Sequence, residues 1–150
     1  MKYQSRDQLQ NIAHVSAHPV MDRRQRLERW SKLLERDPNR SLAALAGTEY
    51  RPQRERDLMR SEDSPLSVAF EDPVLRGEGL QNDTYGEAKR FFEVSDEQLH
   101  EIVCYCHAGE RMMASRAAYC VRTAIEGPIF LRVAKAFLGW GKAAYSWVVV

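Results

Sequence analysis

At 150 residues and 17.3 kDa the chain has room for one continuous hydrophobic core, so a single domain over 1–150 is expected. A composition 44% hydrophobic and 29% charged excludes a disordered or fibrous chain. Arg132, Lys135 and Lys142 interrupt the most apolar region, 128–150, which excludes the roughly 18 uncharged residues of a membrane span.

Met1 to Asp7 is polar and has no apolar signal core behind it, so the expected compartment is the cytoplasm. The three cysteines are then expected as reduced thiols. The net charge of +1 conceals a segregation along the chain. Residues 1–60 carry 13 Lys or Arg against 8 Asp or Glu, a balance of +5. Residues 61–101 carry 3 against 11, a balance of −8, and residues 102–150 carry 6 against 2, a balance of +4. An acidic middle between basic flanks either complements them inside the fold or marks an interaction surface, and the first reading is favoured.

In chain order, residues 1–20 lack a clear period and are expected to form an N-terminal arm. Asp22, with Gln25 three residues later, predicts the start of a helix that places Leu27, Trp30, Leu33 and Leu34 on one face. Asp37-Pro38 ends it. A short helix is expected from about Ser41 to Ala46, stopped by Gly47. Residues 48–83 contain Pro52, Pro65, Pro73, Gly77 and Gly79 and read as an irregular segment, with a helical stretch around Gln53 to Arg60 and strand-like alternation over Leu66 to Phe70.

Two helix starts follow, Thr84 with Glu87 and Ser95 with Gln98, both at capping-box spacing. The first helix presents Tyr85, Ala88, Phe91 and Phe92, and the second presents Leu99, Ile102, Val103 and Cys106. A turn at Gly109 leads to a third helix with Met113, Ala117, Cys120, Val121 and Ala124 on its inner face, which makes a helical hairpin. A last amphipathic helix is expected from Pro128 to about Leu138. The predicted fold is therefore mostly α, with five or six helices, a C-terminal hairpin plus amphipathic helix, and an irregular 48–83 segment.

The densest local chemistry is His100-Glu101-Ile102-Val103-Cys104-Tyr105-Cys106-His107. At 100° per residue, His100, Cys104 and His107 fall within roughly 60° of arc on one helix face. Cys120 comes to a similar height across the hairpin. These four are candidate metal ligands, and zinc is the cofactor that such nitrogen and sulfur donors suit, although the paired Cys-x₂₋₄-Cys spacings of zinc fingers are absent. The same face could instead make Cys104 a nucleophile assisted by an imidazole. The competing structural reading makes these cysteines small core residues and the histidines hydrogen-bond partners of the backbone.

Arg51, Arg54 and Arg56 could hold phosphate or nucleic acid, but interleaved acids and a pI of about 7.8 weigh against a nucleic-acid partner. Phe130, Phe137, Trp140 and Trp147 form an apolar C-terminal surface that calls for a cover: the chain's own core, a second copy, another protein, or peripheral contact with a membrane. The leading functional reading is a non-enzymatic interaction or regulatory module that self-associates through this C-terminal helix. A metal or thiol protein is the alternative, and a nucleic-acid-binding protein the third reading.

Overall fold

The computed structural model describes residues 20–104 and 110–126. The expected arm over 1–20, all but its last residue, His107, and the amphipathic segment with Phe130, Phe137, Trp140 and Trp147 lie outside the described residues. Within them the chain is mostly helical: seven α-helices, one 3-10 turn and a two-stranded ladder.

Helix α1 (Arg23–Glu35) begins where the sequence places it, because Asp22 and Gln25 form a complete capping box that satisfies two free amides. Its inner face buries Leu27, Trp30 and Leu34, while Leu33 is only half-buried. The chain then forms strand β1 (Ser41–Ala43) rather than the expected short helix. It pairs antiparallel with β2 (Arg111–Met113) in the register Ser41 to Met113, Leu42 to Met112 and Ala43 to Arg111. Three residues per strand carry too little periodicity to be read locally, and it is the distant partner that makes them a strand. Gly47 still closes the segment, at a left-handed φ of 76° that suits glycine.

The span 48–83 is not irregular. It holds the 3-10 turn Thr48–Tyr50 and three short helices: α2 (Gln53–Asp57), α3 (Pro65–Glu71) and α4 (Pro73–Gly77). The alternating Leu66 to Phe70 run lies in helix α3, started by the Ser64 hydroxyl on the Ser67 amide and by Pro65 in the first turn. Both sides of α3 meet protein, with Leu66, Ser67 and Ala69 all buried, so period-two hydrophobicity misleads there.

Helices α5 (Tyr85–Phe92) and α6 (Asp96–Val103) start at Thr84 and Ser95. Ser95 and Gln98 make a full capping box. Thr84 makes only half of one, because the Glu87 carboxylate turns to the Gln81 amide and the Arg90 guanidinium instead. Helix α7 (Ala114–Glu126) packs against both α1 and α6, confirming the hairpin pairing. Its first amides are satisfied by main chain from the end of α1 onward: Ala114 N donates to Arg40 O at 2.9 Å and Ser115 N to Pro38 O at 3.0 Å. Met113, expected on the buried face of that helix, is on β2 and half-exposed.

One core joins these elements. At its centre the Trp30 ring stacks on Phe92 with centroids 4.4 Å apart, Phe91 meets Phe92 edge-on, and Trp30 Nε1 donates to Pro65 O at 2.9 Å. Each such fully buried large side chain contributes roughly 1.5–3 kcal/mol of transfer free energy. The charge segregation resolves into pairing between segments: Arg26 with Glu93, Arg29 with Asp72, Arg40 and Arg111 with Asp63, Arg56 with Asp96, and Arg60 with Asp83. No helix among the described residues is long and apolar enough to cross a membrane.

Candidate functional site

Helices α6 and α7 pack along one side of the core and leave between them an open groove of about 640 Å³. Among the described residues it is lined by Ser95, Glu97, Gln98 and Glu101 from the α6 side and by Arg116, Tyr119, Cys120, Thr123 and Ala124 from α7. The helical repeat explains the lining: Leu99, Ile102 and Val103 turn into the core, which leaves the Glu97 and Glu101 face of α6 outward. On α7 the Ala117, Val121 and Ala124 stripe is buried, while Tyr119 is 49% exposed. Cys120 and Ala124 are the small apolar members of the lining, and the α6 side carries two exposed carboxylates, Glu97 and Glu101.

Among the described residues of the lining Arg116 is the one cation, 5.6 Å from the Tyr119 ring centroid. Burial pushes the Cys120 thiol above its ordinary value; Arg116 opposes that shift and Glu101 adds to it. A thiol in that condition is a poor nucleophile at neutral pH.

At the C-terminal end of α6 lies a second cluster. Thr48 Oγ1 stands 2.9 Å from His100 Nδ1 and 2.8 Å from Cys104 Sγ, with Thr48 and Cys104 buried and His100 half-buried. A hydroxyl has one proton and two acceptor lone pairs, so Thr48 can accept from one neighbour while donating to the other. His100 and Cys104, one turn apart on α6 and its C-cap, are thus brought together by a residue from the distant 3-10 turn. No local pattern in the sequence singles out Thr48, and the contact spans more than 50 residues.

The other sequence candidates are placed separately. Cys120 belongs to the groove, and His107 lies outside the described residues. Among the described residues no group of three or more His, Cys, Asp or Glu side chains is arranged to hold a metal ion. Arg51 faces Glu55 at 4.0 Å, Arg56 faces Asp96 at 4.0 Å and donates to Gln53, and Arg54 is exposed on the same short helix. Acids therefore accompany two of the three candidate phosphate-binding guanidiniums. A smaller cleft of about 250 Å³ is lined by Arg36, Asp37, Arg40, Glu71 and Asp72 beside Leu33, Leu34 and Val68, and the Arg40 and Asp72 charges there are already paired. No family model matches this chain, and neither a curated protein nor a solved structure matches it.

Proposed function

We propose that this chain is a non-enzymatic interaction module whose docking face is the groove between α6 and α7, and that it receives an amphipathic helix carrying basic residues. The observation that supports this reading is Tyr119, a half-exposed aromatic in a groove beside the small apolar Cys120 and Ala124 and opposite the Glu97 and Glu101 carboxylates. Helix-in-groove recognition needs those parts: small floor residues that let a helix approach, one aromatic anchor, and rim charges that set orientation. Apolar area exposed in a concavity marks a binding surface more often than the same area scattered over a convex one.

The test uses a labelled 15-residue basic amphipathic helix of unrelated sequence, titrated into the full-length protein. The expected result is binding with a Kd of order micromolar, weakened about tenfold by Glu97→Lys with Glu101→Lys. No anisotropy change up to about a millimolar of peptide would refute the reading.

The Thr48 bridge favours a second reading, a thiol protein centred on Cys104. If the Cys104 proton passes to Thr48 Oγ1 while the Thr48 proton passes to His100 Nδ1, a thiolate and an imidazolium result with no atom gained or lost. Peptide-resolved alkylation of the native chain tests it: Thr48→Val should slow modification of Cys104 several-fold, and an unchanged rate would remove the thiol reading.

A further inference from the structure

Segment 48–57 runs along α6, antiparallel to it. The Thr48 hydroxyl meets His100 and Cys104 at the C-terminal end of α6, and the Arg56 guanidinium stands 4.0 Å from Asp96 at the N-terminal end. Asp96 and His100 lie within roughly 40° of each other around the helix axis, and Glu97 and Glu101 lie roughly 100° further round. The two groove carboxylates therefore form a ridge, with the α7 wall of the groove on one flank and segment 48–57 on the other.

That segment turns an unusual share of itself to solvent. Helix α2 buries none of its five residues, and what holds it is close backbone approach: Asp57 against Gly86, and Met59 O accepting from the Tyr85 amide. Tyr50 before the helix is 86% exposed, and Leu58 after it is 76% exposed. Arg51 and Arg54 are exposed between them. Arg51 reaches Glu55 only at 4.0 Å on open surface, a contact of little energy. Among the described residues no ion pair involves Arg54, Glu97 or Glu101, so the two sets of charges do not meet within one chain.

An exposed tyrosine with two arginines thus lies across one helix from an exposed tyrosine with two carboxylates. The halves are complementary in charge, and tyrosine and arginine are the anchors that interfaces favour. Complementary halves that adjoin make a self-complementary patch: a two-fold rotation about a point between them sets each half on its counterpart in a second copy, and the contact closes at two chains.

We infer that the occupant of the α6–α7 groove is segment 50–58 of a second copy of this chain, an inference that rests on the helix-docking reading. Tyr50, Arg51 and Arg54 of each protomer dock against Tyr119, Glu97 and Glu101 of the other.

Sedimentation velocity on the full-length chain tests it. The wild type should pass from monomer to dimer with a Kd of order ten micromolar. Arg51→Glu with Arg54→Glu, and separately Glu97→Lys with Glu101→Lys, should each weaken the dimer at least about tenfold with circular dichroism unchanged. An equimolar mixture of these two variants should dimerise with wild-type strength, because both contacts of the mixed pair then join opposite charges. A chain that stays monomeric up to about 300 µM would overturn the inference. So would a dimer that neither double reversal weakens, or two weakened variants that fail to pair on mixing. If any of these occurs while the unrelated peptide still binds at 1 µM protein in a Glu97- and Glu101-dependent way, only this inference falls; if the peptide fails to bind as well, the groove reading falls with it.

Discussion

Arg29 grips Asp72 with two parallel hydrogen bonds, Nε donating to Oδ2 at 2.5 Å and Nη2 to Oδ1 at 2.9 Å, and the Asp72 side chain is only 5% exposed. The same carboxylate also accepts from the Leu75 amide as the N-cap of α4, so one acid joins α1 to the corner between α3 and α4. Forked geometry and two charged partners make this the strongest kind of side-chain hydrogen bond.

A pH dependence follows from this pair. The Arg29 hydrogen bonds hold the Asp72 carboxyl below the ordinary carboxylate range, against the opposing effect of burial. A folded-state value below the unfolded one means that the stabilisation is complete above about pH 4 and is lost as pH falls through the folded value. Arg29→Leu should cost about 2 kcal/mol at pH 7, and the gap from wild type should shrink on acidification as Asp72 becomes protonated in both proteins. Urea melts at pH 7, 5 and 3 measure it; a gap that does not change with pH would show that Arg29 acts through packing alone.

Gly86 is required by close approach. A Cβ there would lie 2.8 Å from Asp57 Cβ and 3.0 Å from the Asp57 carbonyl oxygen, so α2 sits directly against the first turn of α5. The Tyr85 amide donates to Met59 O at 2.9 Å and holds the same junction. Gly86→Ala, which would favour an isolated helix by up to about 1 kcal/mol, should instead destabilise the protein by about 1–3 kcal/mol through overpacking. A denaturation midpoint that rises would show that α2 moves aside freely.

Thr48→Val keeps the side-chain shape and removes the oxygen shared by His100 and Cys104. Two hydrogen bonds at a fully buried position go with it, and the expected loss is about 1–2 kcal/mol. Thermal unfolding reads the loss, and Thr48→Ser, which keeps the hydroxyl, should recover most of it.

Glu93 ends α5 with a left-handed φ of 51°, a conformation costly for a residue with a Cβ. Glu93→Gly relieves that strain, about 1 kcal/mol, and gives up the ion pair with Arg26, which is worth little because the Glu93 side chain is 59% exposed. The two effects leave a net gain of about 0.5 kcal/mol. A variant less stable than wild type would assign the larger share to the ion pair.

Much of the helical scaffold is legible in the residues alone. Asp22, Thr84 and Ser95 each mark a start with a hydroxyl or carboxylate that caps a free amide, and the Leu27, Trp30 and Leu34 and the Leu99, Ile102 and Val103 faces are buried as their spacing requires. The complement between the acidic middle and its basic flanks is legible too, although which acid meets which arginine is not. Capping and periodicity act within one or two turns, so they are written in neighbouring residues.

What required the tertiary structure is everything whose partner is far along the chain. Ser41 to Ala43 form a strand because Arg111 to Met113 lie beside them, and of the short helices in the 48–83 span only the one at Gln53–Asp57 is legible, whereas Pro65–Glu71 and Pro73–Gly77 are too short to show a period. The candidate sites divide in the same way. His100 and Cys104 stand out as neighbours on one helix, but Thr48, which joins them, comes from a 3-10 turn some fifty residues earlier, and the groove exists only because α6 and α7 pack side by side. The sequence by itself determined where the capped helices begin and which of their faces turn inward, since those choices rest on local hydrogen bonds and local hydrophobicity. Only the folded chain decided which surfaces meet, because packing joins side chains that no spacing rule connects.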